Sequence, residues 1–130
     1  MEAIEVTFPG GKCGFRVGPF TVHTDQPLDA GGEGSAIGPF ELFLASLATC
    51  AGFYVLAFCQ ARGLPTEGIS VHQRADLDPA THLPNRILLE LTIPPSFPEK
   101  YRAGALRAAA GCKVRKSIAA APAIDVVLKR

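Results

Sequence analysis

The sequence predicts an α+β fold built on antiparallel sheet. Three observations carry that prediction. Short strand-like runs crowd the first 25 residues. A stretch from Phe40 to Arg62 holds no proline and many strong helix formers. The later segments come as a strand pair, then helices, then one closing strand. That order lacks the β-α-β alternation of a parallel sheet.

Taken along the chain, EAIEVTF (2–8) reads as a first strand. KCGFRV and FTVHTD flank Gly18-Pro19 and read as a hairpin. QPLDAGGEGSAIGP follows, rich in Gly and Pro and without periodicity, so it reads as a long loop of the kind that is often functional. Pro39 suits a first helical turn, where its missing N–H costs nothing. Gly63 suits the C′ position of the helix that follows, and Pro65 stops it. ISVHQRADL and RILLELTI read as a strand pair joined by the turn-like DPATHLPN. PEKYRAGALRAAAGC reads as a helix that breaks or is capped near Gly111, and CKVRKSIAAA as a second helical piece stopped by Pro122. AIDVVLKR reads as a last strand, with Val126 and Leu128 on one face.

The whole chain bounds the function as well. A length of 130 residues fits a single domain, residues 1–130, able to bury a core without disulfides. Hydrophobic residues make up 48%, which argues against disorder. The balance of 13 Lys+Arg against 12 Asp+Glu gives no electrostatic case for nucleic acid or an anionic membrane surface. Residues 42–61 are long enough to cross a bilayer. The polar Ser46, Thr49, Cys59 and Gln60, and the small Ala45, Ala48, Ala51 and Gly52, fit a buried helix of a soluble core packed against a partner subunit. MEAIEVTFPGGK has no cationic start followed by an apolar run, so no signal peptide is expected and the protein is expected in the cytoplasm. Thiols there are reduced at rest, and any disulfide chemistry is transient and functional.

There are four cysteines, at 13, 50, 59 and 112. No CxxC pair and no Cys/His cluster has zinc-ligand spacing, and no metal or cofactor is expected. Cys50 and Cys59 lie nine residues apart on one helix, half a turn out of phase, so they face opposite sides. Cys59, among Val55, Leu56 and Phe58, reads as a core filler, and Cys13 as a structural or spare thiol. Cys112 follows Gly111 at the start of a helix and precedes Lys113, Arg115 and Lys116. A helix N-terminus and nearby cations both favour a thiolate. Composition leaves open whether those cations serve the thiol or form a solvated face. Cys50 has no cation near it in sequence, so Arg16, Arg62, Arg74 and Arg86 are the candidates to meet it through the fold. Glu41 is the only Asp, Glu, Lys, Arg or His between the loop and Arg62. It reads either as helix-dipole decoration or as a carboxylate that orients a cation or takes a proton at a thiol.

The stretch P-x-E-L-F-L-A-S-L-A-T-C, from Pro39 to Cys50, resembles the helix signature of the OsmC/Ohr family of osmotically induced and organic-hydroperoxide-resistance proteins. VHTDQPLDAGGEGSAIGPFEL resembles the lead-in of the OsmC-like branch. ARGL (61–64), the strand pair and the helix leading to Cys112-Lys-Val resemble the rest, with Cys-Lys-Val where the family has Cys-Pro-Val. The resemblance covers the chain from about residue 15 to the end. It implies an OsmC-like fold in which antiparallel sheets wrap long central helices in an intertwined homodimer. It also implies a thiol peroxidase of the oxidative stress response that acts on small organic hydroperoxides. Cys50 would then be peroxidatic and Cys112 resolving through an intrachain disulfide, with a glutamate and an arginine holding the thiolate and an external dithiol as reductant. The nearest counterparts here are Glu41, one position past the place of the family's glutamate, and Arg16, in the N-terminal region where the family's arginine is expected. Phe40 stands where peroxidase branches keep their glutamate, and Arg16 sits in FRVG rather than the peroxidase context. The Phe40/Glu41 shift favours the alternative, a ligand-binding or redox-sensing protein on the same scaffold without efficient turnover, while the retained Cys50/Cys112 pair favours the peroxidase, the first reading.

Overall fold

A computed structural model of the chain describes residues 3–129. They fall into two units that divide between Ala45 and Ser46.

The first unit is a three-stranded antiparallel sheet and a loop. β1 (Glu5–Thr7) pairs with β2 (Gly14–Val17), which pairs with β3 (Phe20–His23). The β2–β3 hairpin closes Val17 against Phe20 across Gly18-Pro19, and Gly18 supplies the positive φ of 53° that the tight turn needs. β1 is shorter than EAIEVTF, and Glu2 lies outside the described residues.

The predicted loop is ordered by one carboxylate. Asp25 is buried. Its Oδ1 accepts from the Gln26 N–H at 2.8 Å; its Oδ2 accepts from the Ser35 N–H at 3.0 Å and the Ser35 hydroxyl at 2.6 Å. The Glu33 N–H at 3.2 Å and Lys12 Nζ at 3.8 Å complete the set. These bonds, the Ser35 hydroxyl foremost, hold the Asp25 pKa down to about 2 from 3.8. Gly32 is required where the loop closes, because a Cβ there would stand 1.9 Å from the Gln26 carbonyl oxygen.

Helix α1 (Pro39–Ala61) begins in this unit. Gly38 precedes Pro39, and the Glu41 Oε1 accepts the Gly38 N–H at 3.3 Å. That is the reach-back half of a capping box. The far end closes as a Schellman motif. The Leu64 N–H reaches the Cys59 carbonyl at 2.9 Å, and the Gly63 N–H reaches Gln60 at 3.3 Å with Gly63 at φ 63°.

The second unit holds the rest of α1, the hairpin β4 (Ser70–Leu77) and β5 (Pro84–Thr92), and helices α2 (Arg102–Ala110) and α3 (Lys113–Ala119). β4 and β5 are antiparallel from Ser70↔Thr92 to Leu77↔Pro84, with a bulge at Asp76/Leu77. α1 is long and apolar enough to cross a membrane by length and composition, a test that the core helix of a soluble protein also passes. Its buried residues form one stripe, Leu47, Ala51, Val55 and Cys59, at a four-residue step. The stripe feeds two clusters. Val55 and Cys59 pack with Phe97 and Ala105; Leu47 and Ala51 pack with Cys112.

The closing strand expected at AIDVVLKR is absent. Residues 121–129 carry no strand, and Arg130 lies outside the described residues. Ile124, Val126, Val127 and Leu128 are 82–95% exposed. Alternation marks a chain suited to a half-buried sheet position, but a strand exists only where a neighbouring backbone takes its N–H and C=O groups.

Candidate functional site

The two thiols singled out by motif meet in the second unit. Cys112 is fully buried beside Leu47 and Ala51, and the half-buried Cys50 packs against that same cluster with Tyr54, Ile87, Leu89 and Val114. Two residues 62 apart in sequence therefore share one apolar cluster. No disulfide joins them; all four cysteines are free.

Local sequence accounts for the placement of Cys112. Gly111 ends α2, its N–H bonding the Arg107 and Ala108 carbonyls. The chain then turns extended at Cys112, the N-cap of α3. The Cys112 Sγ accepts the Arg115 backbone N–H at 3.3 Å, as a serine or aspartate oxygen does at such a cap. The Arg115 side chain folds back, and its Nη1 donates to the Ala110 carbonyl at 3.1 Å.

Cys59 belongs to the other cluster, on the opposite face of α1 from Cys50, as its spacing requires. Burial pushes its thiol pKa up, and the nearby Arg62 charge offsets part of that rise. The Arg62 guanidinium lies 3.7 Å over the Phe58 ring, and Phe58 meets Tyr101 edge-on. This surrounding is that of a packed filler. Cys13 is exposed just before β2, its carbonyl bonded by the Thr24 N–H and hydroxyl.

The two predicted charged partners sit in the first unit. Arg16 lies on β2 opposite Glu5 in β1, with its Nη2 3.7 Å from the Glu5 carboxylate. Glu41 caps α1 through Gly38. Of the four predicted site residues, Cys50 and Cys112 share a cluster, while Arg16 and Glu41 have Glu5 and Gly38 as their recorded partners.

A cleft of about 200 Å³ opens onto Cys112. Alternation on β5 turns Ile87, Leu89 and Leu91 to one face, joined by Val71 of β4. Leu47 and Ala51 of α1 and Leu106, Ala109 and Ala110 of α2 complete the apolar walls. Among the described residues Arg115 is the one charged lining residue and Cys112 the one thiol. An adjoining groove of about 320 Å³ shares Leu47, Ile87, Leu89 and Arg115 and extends along Arg86 and Ile118. Sequence reasoning counted Arg115 among the cations after Cys112 but did not place it at a cleft. The available signal was its position three residues after a helix-capping thiol. Among the described residues no group of three or more His, Cys, Asp or Glu could hold a metal ion.

The family described as OsmC-like protein matches residues 32–127. No curated protein matches the chain. Solved structures share the fold, among them the following three. An osmotic-stress-induced and detoxification response protein from Psychrobacter arcticus aligns at 21% identity and a TM-score of 0.76, covering 90% of this chain and 88% of that one. An OsmC-like protein from Mycoplasma pneumoniae aligns at 12% identity and 0.72, covering 93% and 89%. An organic hydroperoxide resistance protein from Legionella pneumophila aligns at 17% identity and 0.59, covering 91% and 88%. At these identities the likeness is one of fold.

Proposed function

Because this chain belongs to the OsmC-like protein family, we propose that it reduces organic hydroperoxides with a thiol pair, Cys50 attacking and Cys112 resolving. The observation that carries the reading is the shared cluster of the two thiols. The Cys50 thiolate attacks the terminal peroxide oxygen, the O–O bond breaks, and the alkoxide takes a proton to leave as an alcohol. Cys50 becomes a sulfenic acid. The Cys112 thiolate attacks that sulfur, a disulfide forms, and the sulfenic oxygen leaves as water. An external dithiol then exchanges with the disulfide and is itself oxidised. The cycle needs reduced thiols at rest, which fits the cytoplasm. Glu41 and Arg16 enter as the carboxylate and guanidinium that would hold the thiolate.

The proposed assembly is a homodimer. α1 leaves Phe53 61% exposed and Leu56 38% exposed, an apolar face that a second copy would cover. One observation favours the second reading, a ligand-binding or redox-sensing protein: the apolar cleft opens onto Cys112, and Cys50 is not among its lining residues.

The test is consumption of cumene hydroperoxide with a dithiol reductant. Wild type is expected to turn over and to form an intrachain Cys50–Cys112 disulfide when the reductant is withheld. Cys50→Ser should lose turnover. Cys112→Ser should stall with an oxidised Cys50. Equal slow consumption by wild type and Cys50→Ser would leave the binding reading standing instead.

A further inference from the structure

We propose that the cleft beside Cys112 binds amphipathic carboxylates of about eight carbons, with Arg115 taking the carboxylate and the β5 face taking the alkyl chain. The inference names the ligand of the candidate site. It rests on the cleft at Cys112, not on turnover at Cys50.

The walls determine the tail. Every wall residue other than Arg115 and Cys112 is apolar, and the volume is about 200 Å³. With the adjoining groove of about 320 Å³ along Ile118, this apolar cleft suits a medium-length alkyl chain.

The charge determines the head. Among the described residues the cleft and its groove are lined by Arg115 and Arg86 and by no Asp or Glu. Arg86 stands opposite Asp76 across the β4–β5 ladder, so an acid already neighbours it. Among the described residues Arg115 has no ion pair, and its one side-chain hydrogen bond runs from Nη1 to the Ala110 carbonyl. A guanidinium carries five N–H donors in a planar fork, so donors remain for a carboxylate. The bond to Ala110 fixes the guanidinium near the α2 end, at the cleft that Leu106 and Ala109 also line. Arg115 is exposed at the cleft, so beside a neutral chain its donors face water, and a carboxylate adds a charge-assisted pair there.

Protein-observed NMR titration with octanoate and with 1-octanol tests this at low salt. Octanoate is expected to shift the methyl signals of Leu89 and Leu106 and to bind at least fivefold more tightly than octanol. Arg115→Gln should erase that preference while octanol shifts persist, which shows that the cleft is intact. Arg115→Lys should keep part of the preference, and Lys116→Gln, off the cleft, should keep all of it. Equal binding of octanoate and octanol, an unchanged preference in Arg115→Gln, shifts confined to other regions, or no octanoate binding to wild type would each overturn the proposal. Octanoate binding is read on reduced wild type with no peroxide present, so failure of the peroxidase reading and failure of this one are separable.

Discussion

Gly104→Ala sets two rules of helix energetics against each other. Gly104 lies in the first turn of α2, and replacing glycine by alanine in a helix ordinarily stabilises by about 0.5–1 kcal/mol. Here the new Cβ would stand 2.7 Å from Phe58 Cζ and 2.8 Å from Phe58 Cε2. Ordinary carbon–carbon contact is about 3.5–4.0 Å, so the ring would have to retreat by roughly 1 Å. It is not free to do so. Arg62 lies over one face at 3.7 Å, and Tyr101 abuts it with ring centroids 6.2 Å apart. Overpacking of this kind costs about 1–3 kcal/mol. The net expectation is destabilisation by about 1 kcal/mol, or a fall in Tm of about 4 °C. Urea denaturation followed by circular dichroism, at one fixed protein concentration, measures it. The same change in a Phe58→Ala background should stabilise by the ordinary helix increment, giving a coupling of at least about 1 kcal/mol. A stabilised Gly104→Ala protein with no coupling to Phe58 would refute the steric reasoning.

Other outcomes follow from the same geometry. Asp25 has a folded pKa of about 2 against an ordinary 3.8, a depressed carboxylate, so its contribution to stability is complete above about pH 5 and is lost as pH falls from about 4 through 2. Asp25→Asn should be less stable at pH 7 and should flatten that part of a urea-midpoint profile. Cys59→Ser would bury a hydroxyl where the thiol now packs, costing about 1–3 kcal/mol if it stays unpaired, yet should leave peroxide consumption per folded molecule unchanged. Glu41→Gln keeps an acceptor for the Gly38 N–H, so stability should hold within about 0.5 kcal/mol. A tenfold fall in peroxide turnover in that variant would give Glu41 a part in the chemistry, and an unchanged rate would leave it a cap.

How much was legible in the sequence depended on the range of the forces involved. The ends of α1 were readable because proline and glycine act within one turn: Pro39 opens the helix, and Gly63 closes it at positive φ. The two hairpins were readable because turn residues and alternation lie within a dozen positions. The role of Cys59 was readable because nine residues on a helix determine which side a thiol faces. The α3 cap at Cys112 was readable in outline from Gly111 and the basic run after it.

The tertiary structure decided the rest. AIDVVLKR alternates as a strand should, but residues 121–129 have no strand partner, because pairing is a property of two backbones. Asp25 ends FTVHTD, a run that reads as a strand; only the folded path brings Ser35, ten residues on, to its carboxylate. Local sequence alone could not say what Cys50 would meet, and the resemblance supplied Cys112 as its expected partner. The packing of α1 against α2 and α3 is what puts both thiols in one cluster and places Arg115 at the end of an apolar cleft. By itself the sequence determined which helix carries the first thiol and which turn carries the second. Their common surroundings came from burial of Leu47, Ala51 and Cys112 together, a long-range effect that no short window of residues contains.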